Sequence, residues 1–178
     1  MEKSVSLKGR NDNPSGKSTI LFLCTGNWYR SRFAEALTKH MLGDSHHVFS
    51  RGLEVSRIPK ELPPSFENNN LFSIFTGEKL LEKGIPPYSV LERRGPIQLT
   101  MEDLLSATHV IALDKTEHYP MMLNLFPDHA NCITYWEVPD VQKMPHQKGY
   151  GLPSCPSDQA LDLIENHVAT FVRNITIP

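Results

Sequence analysis

Thr19, Ile20, Leu21, Phe22 and Leu23 form an unbroken run of apolar and β-branched positions, the pattern of a strand covered on both faces, predicted over 18–23. After a polar interval Phe33, Ala34, Leu37 and Met41 return at helical spacing and stop at Gly43, which predicts a helix over 32–42. The alternation then repeats. His46, His47, Val48, Phe49 and Ser50 make a short second strand ending at Arg51 and Gly52, and Phe72, Phe75, Leu80 and Leu81 mark a helix ending at Gly84. Thr100 with Asp103 three places on caps a short helix carrying Leu104 and Leu105. A third strand runs over 110–113, a helix over 117–126 holds Pro120 in its first turn, and the fourth strand runs from Cys132 to Trp136. Leu161, Ile164, Val168, Phe171 and Val172 share one face of a last helix over 157–174, with Ser157 or Asp158 as its cap.

Strands alternating with helices give an α/β fold: a doubly wound, four-stranded parallel sheet with helices on both faces, in a single domain over 18–178. Residues 1–17 are polar, contain Asn11, Asp12, Asn13 and Pro14 without periodicity, and read as a flexible N-terminal arm. The stretch 57–70, with its three prolines and Asn68-Asn69-Asn70, reads as a long loop. A second irregular stretch, 86–96, carries Glu92, Arg93 and Arg94 as a solvated charge run. His46 and His47 are adjacent on a strand, point to opposite faces, and so read as surface residues rather than ligands.

Composition narrows the function classes. With 178 residues, 39% hydrophobic content and a net charge of −2, the chain can bury a substantial core but offers no basic surface for nucleic acid. It shows neither an N-terminal signal-like apolar run nor a stretch of membrane-spanning length, so no membrane partner is expected. Cys24, Cys132 and Cys155 fit neither a disulfide framework nor a zinc pattern, which points to a reducing, cytoplasmic setting. Gly16-Lys17-Ser18 ends like a nucleotide-binding loop, yet Asn11 stands where that motif needs glycine and the segment precedes a strand instead of following one.

The chemistry concentrates between the first strand and the first helix. At the carboxyl edge of a parallel sheet, where ligands bind, Thr25, Gly26, Asn27, Trp28, Tyr29, Arg30 and Ser31 form a loop whose amide N–H groups would nest a phosphate-like anion at a helix N-terminus. The helix dipole and Arg30 both favour a thiolate at Cys24, which becomes the candidate nucleophile. Arg30 would grip two anion oxygens in fork geometry, leaving the sulfur facing the central atom. Gly26 lets the backbone approach the anion, Asn27 tolerates a left-handed turn, and the Ser31 hydroxyl is placed to donate to the sulfur.

Leu21 to Asn27, Arg30-Ser31 and Ala34-Glu35-Ala36 together resemble the signature of the low-molecular-weight protein-tyrosine phosphatases. Ser50-Arg51-Gly52, Gly84-Ile85, Gln98-Leu99-Thr100 and Ile111 to Asp114 are similar to further parts of that family, over roughly 19–175. The resemblance implies a phosphomonoester hydrolase, by default a protein-tyrosine phosphatase, that works through a cysteinyl-phosphate at Cys24 and requires no metal or cofactor. Its partners would be a phosphorylated protein or small phosphomonoester, with inorganic phosphate as product. It also implies that Ser50 hydrogen-bonds Asn27 and holds the loop. Departures are Trp28, larger than usual, Tyr29 where many members carry a second cysteine, and Gln142-Lys143 in place of an aromatic pair.

The reaction also needs an acid that later serves as base. Asp128 follows a helix and precedes a strand, so it falls at the wrong edge of the sheet. Asp114 and Asp140 both follow strands; Asp114 comes at once and is suited to shaping the floor, whereas Asp140 sits on a longer loop able to reach the pocket. Asp140 is the choice, in agreement with the resemblance, although Val141 follows it where the family has proline. Two other readings remain open: a thiol-dependent arsenate reductase on the same fold, which needs cysteines near the first, and a non-catalytic phosphate or phosphopeptide binder.

Overall fold

All six residues of β1 (Thr19–Cys24) are buried, as the continuous apolar run requires. The computed structural model describes residues 17–57, 65–140 and 156–176. Nearly all of the expected arm, 58–64 of the long loop, Val141, Gln142, Lys143 and Cys155, and the side chains of Ser157 and Asp158 lie outside the described residues.

The elements follow as α1 (Arg30–Leu42), β2 (His47–Gly52), α2 (Ile74–Glu82), α3 (Pro87–Val90), α4 (Met101–Ser106), β3 (His109–Ala112), α5 (Lys115–Leu125), β4 (Thr134–Tyr135) and α6 (Pro156–Thr176). The sheet has four strands in the order β2-β1-β3-β4, every pairing parallel. Successive side chains of β1 point to opposite faces. Ile20, Phe22 and Cys24 join Phe33, Ala34 and Leu37 of α1 and Leu161, Ile164 and Val168 of α6 in one cluster. Leu21 and Leu23 join Leu104 of α4 and Met122 of α5 in the other. Helices therefore cover both faces, and no helix among the described residues is long and apolar enough to cross a membrane.

Besides α3, a single helical turn inside the stretch 86–96 that reads as irregular, three features differ from the sequence expectations. β4 is confined to Thr134–Tyr135 because the preceding chain turns on itself: His129 N and Ala130 N donate to Phe126 O, and Cys132 N donates to His129 O. Cys132 is thus an exposed turn residue, not a strand residue inside the sheet. α5 begins at Lys115, two residues early, because the Asp114 carboxylate caps it by accepting from Thr116 N at 2.9 Å. Pro120 then falls beyond the first turn, where it removes one helical N–H. The third difference is in the charged stretch 92–94, where Arg94 turns inward.

α2 is held by its N-cap, Ser73, whose hydroxyl accepts from Phe75 N. At its C-terminal end Ile85 N donates to Leu80 O over Gly84 at φ 71°, the left-handed position that glycine fills most readily. Within α2, Gly77 lies against the ring of Phe66, which stacks on Phe72 at 5.4 Å between centroids. A Cβ at Gly77 would stand 2.0 Å from Phe66 Cδ2. Helix propensity favours alanine there, but the overlap dominates, so Gly77→Ala should lose about 1–3 kcal/mol of unfolding free energy in urea titration.

Candidate active site

β1 delivers Cys24, 3% exposed, to the carboxyl edge at the point where the chain leaves to β2 on one side and β3 on the other. Asn27 takes φ 52°, so the chain reverses tightly and its own N–H donates to Cys24 Sγ at 3.2 Å. Ser31 Oγ lies 3.0 Å from the same sulfur, and α1 opens at Arg30, which turns a helix N-terminus toward the thiol. The loop carbonyls are engaged on the outside. Leu53 N donates to Cys24 O, Glu54 N to Thr25 O, Ser73 N to Trp28 O, and Phe33 N to Tyr29 O; Thr76 Oγ1 also donates to Tyr29 O. Gly52 supports the loop from below: a Cβ there would meet Thr25 O at 2.9 Å and Asn27 N at 3.1 Å.

A buried polar chain fixes this loop. Glu35 is 1% exposed and its carboxylate accepts from Lys39 Nζ at 2.8 Å, Arg32 Nη1 at 3.1 Å and Arg94 Nη2 at 3.2 Å. Burial would raise its pKa, but Arg32, Lys39 and Arg94 outweigh that and lower it below the usual range. Burial, with Arg32 and Arg51 nearby, brings Arg94 down to about 10 against the pull of Glu35, which still leaves it charged at neutral pH. Because an ionised carboxylate only accepts, Ser50 must spend its one proton on Glu35, at 2.6 Å. Ser50 Oγ then accepts from Asn27 Nδ2 at 2.7 Å. That orients the amide: its oxygen accepts from Arg94 Nη1 and Ile97 N, each at 3.0 Å, and Nδ2 also donates to Ser31 Oγ at 3.1 Å. Ser31 keeps its own proton for the sulfur.

Arg30 is 2% exposed. Its Nη1 donates to Val138 O at 3.0 Å, and its Nη2 to Glu117 Oε2 at 3.0 Å and Asp140 Oδ2 at 3.2 Å. Burial lowers its pKa, yet Asp140, Cys24 and Glu117 together carry it above the ordinary arginine value. Thr25 Oγ1 donates to Glu117 Oε1. Burial would raise the Glu117 carboxyl, but Arg30, the Thr25 hydroxyl and His118 hold it down at about 2.

The structure thus brings Cys24, Asn27, Arg30, Ser31, Ser50 and Asp140 into one neighbourhood. Trp28 is 6% exposed and enclosed; Tyr29 meets Phe75 edge-on at 6.2 Å. Asp114 is the α5 cap, and Asp128 is exposed in the turn before β4. Glu117, Glu35 and Arg94 were not singled out from the sequence as site residues. Asp114 followed three places on by Glu117 is a helix-start pattern after a strand; read so, it starts α5 at Lys115 and puts Glu117 at the binding edge. Glu35 enters the sequence reading only within the Ala34-Glu35-Ala36 part of the resemblance, and Arg94 carries no signal, since neither spacing nor periodicity marks a polar side chain that turns inward.

The depressed Glu117 carboxyl makes a stability statement. It contributes fully above the ordinary glutamate value of 4.5, and the contribution is lost as pH falls toward about 2. Urea unfolding across that interval should show wild type losing stability more steeply than Glu117→Gln, whereas parallel profiles would mean that Arg30 does not hold the carboxylate ionised.

No protein-family model matches the chain. A stretch of 39 residues, 22% of this chain, is 59% identical to an arsenate reductase from Bacillus cereus and spans 29% of that protein's length. Among solved structures, a low molecular weight phosphotyrosine phosphatase from Vibrio cholerae superposes with a TM-score of 0.65 at 20% identity, over 88% of this chain and 95% of that one. A thioredoxin-dependent arsenate reductase from Corynebacterium glutamicum superposes with a TM-score of 0.54 at 21% identity, over 89% of this chain and 62% of that one. The four-stranded parallel sheet and its helices are therefore the fold of the low-molecular-weight protein tyrosine phosphatases, which arsenate reductases share.

Proposed function

We propose that the protein is a phosphomonoester hydrolase of the protein-tyrosine-phosphatase type. The observation that carries the reading is the placement of Cys24 Sγ, which takes hydrogen bonds from Asn27 N–H and the Ser31 hydroxyl at a helix N-terminus, with the Arg30 guanidinium alongside and Asp140 upon it. In the first step the Cys24 thiolate attacks phosphorus while the ester P–O bond breaks, and protonated Asp140 gives its proton to the leaving oxygen. In the second step the Asp140 carboxylate takes a proton from water, the hydroxide attacks phosphorus, the S–P bond breaks and phosphate departs. Arg30 and the loop amides balance charge on the equatorial oxygens throughout. A phosphorylated protein, with phosphotyrosine as the default residue, is the proposed substrate.

The Bacillus cereus likeness favours one second reading, a thiol-dependent arsenate reductase. That chemistry needs a second thiol to carry oxidation away from Cys24. Cys132 lies before β4 begins, at the opposite edge of the sheet, and Cys155 lies outside the described residues. Arsenate-dependent consumption of reduced thioredoxin, lost in both Cys24→Ser and Cys155→Ser, would establish this reading over the hydrolase.

Hydrolysis of para-nitrophenyl phosphate tests the principal reading directly. Cys24→Ser should abolish turnover while vanadate binding survives, because the amides and Arg30 supply the ground-state affinity. Vanadate binding by wild type without any hydrolysis would make the protein a binder instead. Asp140→Asn should slow substrates with poor leaving groups by about 10²–10⁴-fold and activated phenyl esters much less; equal losses would move the acid role to another residue.

A further inference from the structure

We infer that Glu117 makes the anion site at Cys24 selective for oxyanions that still carry a proton, phosphate and arsenate among them, over fully ionised ones such as sulfate. The inference rests on the reading of the Cys24 loop and Arg30 as an anion site, and deepens it by assigning the specificity of that site to a residue outside the loop.

Three observations lead there. First, Glu117 belongs to α5 and yet reaches the loop: Oε1 accepts from the Thr25 hydroxyl, one residue past Cys24, and Oε2 accepts from Arg30 Nη2 at 3.0 Å. Second, Arg30 has little freedom to turn away, being 2% exposed with its other terminal nitrogen on Val138 O at 3.0 Å. An anion that reaches Cys24 and takes Arg30 Nη2 therefore stands beside the Glu117 carboxylate. Third, Glu117 is itself largely enclosed, its side chain 16% exposed, so water screens the encounter poorly.

A carboxylate presents lone pairs and no proton. Against sulfate, acceptor faces acceptor and like charges repel. Against an anion with one remaining hydroxyl the contact becomes a charge-assisted O–H···O hydrogen bond, among the stronger kinds. Phosphate and arsenate keep such a proton near neutral pH and sulfate does not. A phosphomonoester keeps one only as its monoanion, so the same rule favours substrate monoanions.

Other groups face this carboxylate and must be separated from it. Asp140 Oδ2 shares Arg30 Nη2 at 3.2 Å, and His118 Nε2 lies 3.8 Å from Glu117 Oε2. Cys24 also acts on Arg30, and Glu54 lines the adjoining cleft. Sulfate serves as the internal control, because it does not titrate in the neutral range. Its affinity profile reports these protein groups alone, and the phosphate-to-sulfate ratio isolates the ligand's proton.

Isothermal titration calorimetry with inorganic phosphate, arsenate and sulfate, from about pH 5.5 to about 8.5, provides the test. Wild type should bind phosphate and arsenate at least about tenfold more tightly than sulfate, and the preference should persist across this range because both ligands keep at least one proton throughout it. Glu117→Gln, whose amide can donate to sulfate, and Glu117→Ala should both bring the ratio to within about threefold, mainly by gaining sulfate affinity; phosphate binding retained by either shows that it is folded. An unchanged ratio in both variants, or a ratio that collapses in Asp140→Asn instead, overturns the inference while leaving the anion site in place. Binding of neither anion by wild type, or binding that survives Arg30→Ala, overturns the anion-site reading and this inference with it.

Discussion

The ion group around Glu35 sets the hydrogen bonding at the Cys24 sulfur without touching it. A carboxylate at 1% exposure persists ionised only because Arg32, Lys39 and Arg94 surround it, and removing one partner from such a group typically costs about 3–5 kcal/mol because the remaining charge is stranded. What the burial provides is direction. Hydroxyls and amides accept and donate with equal ease, so a run of serine, asparagine and serine has no polarity of its own. An acceptor-only group at one end and cationic or backbone donors beside Asn27 leave a single consistent arrangement, which delivers the last proton to the sulfur.

Topology explains why a strand, a helix and a cysteine suffice to make the site. β1 lies inside the sheet, and its neighbours on the two sides are reached by connections of opposite sense. A crevice opens where the order reverses, and the first strand-to-helix loop fills it. The same placement lets three other segments converge there: the end of β2 beneath the loop, the first turn of α5 beside it, and the chain beyond β4 above Arg30.

What could be read from the sequence follows from where periodicity carries information. The apolar run of β1, the helical spacing of α1 and the cysteine-to-arginine interval are local, so strand, loop and helix emerge together. The register of β4 is not local. Its shortening follows from the turn at 126–133, in which backbone N–H groups of His129, Ala130 and Cys132 bond to carbonyls of the turn itself, and an apolar count over Cys132 to Trp136 cannot register that. Arg94 is the clearest loss. Beside Glu92 and Arg93 it resembles any solvated run, and only the fold reveals that it meets a buried acid 59 residues before it in the chain. Glu117 was legible in principle through its spacing from Asp114, but starting the helix two residues late hid it.

The outward-facing carbonyls of the Cys24 loop carry a consequence for binding. A trans peptide is a rigid plane with its C=O and the following N–H on opposite sides, and there are no cis bonds among the described residues. Tying Cys24 O, Thr25 O, Trp28 O and Tyr29 O to the chain behind them therefore turns the N–H groups of Thr25, Gly26, Tyr29 and Arg30 inward. Under the proposed function, the grip on an anion is set by atoms on the far side of the loop, at Leu53, Glu54, Phe33 and Ser73. The donors are aligned when the protein folds rather than when ligand arrives, so little reorganisation remains for a reacting group as its charge develops.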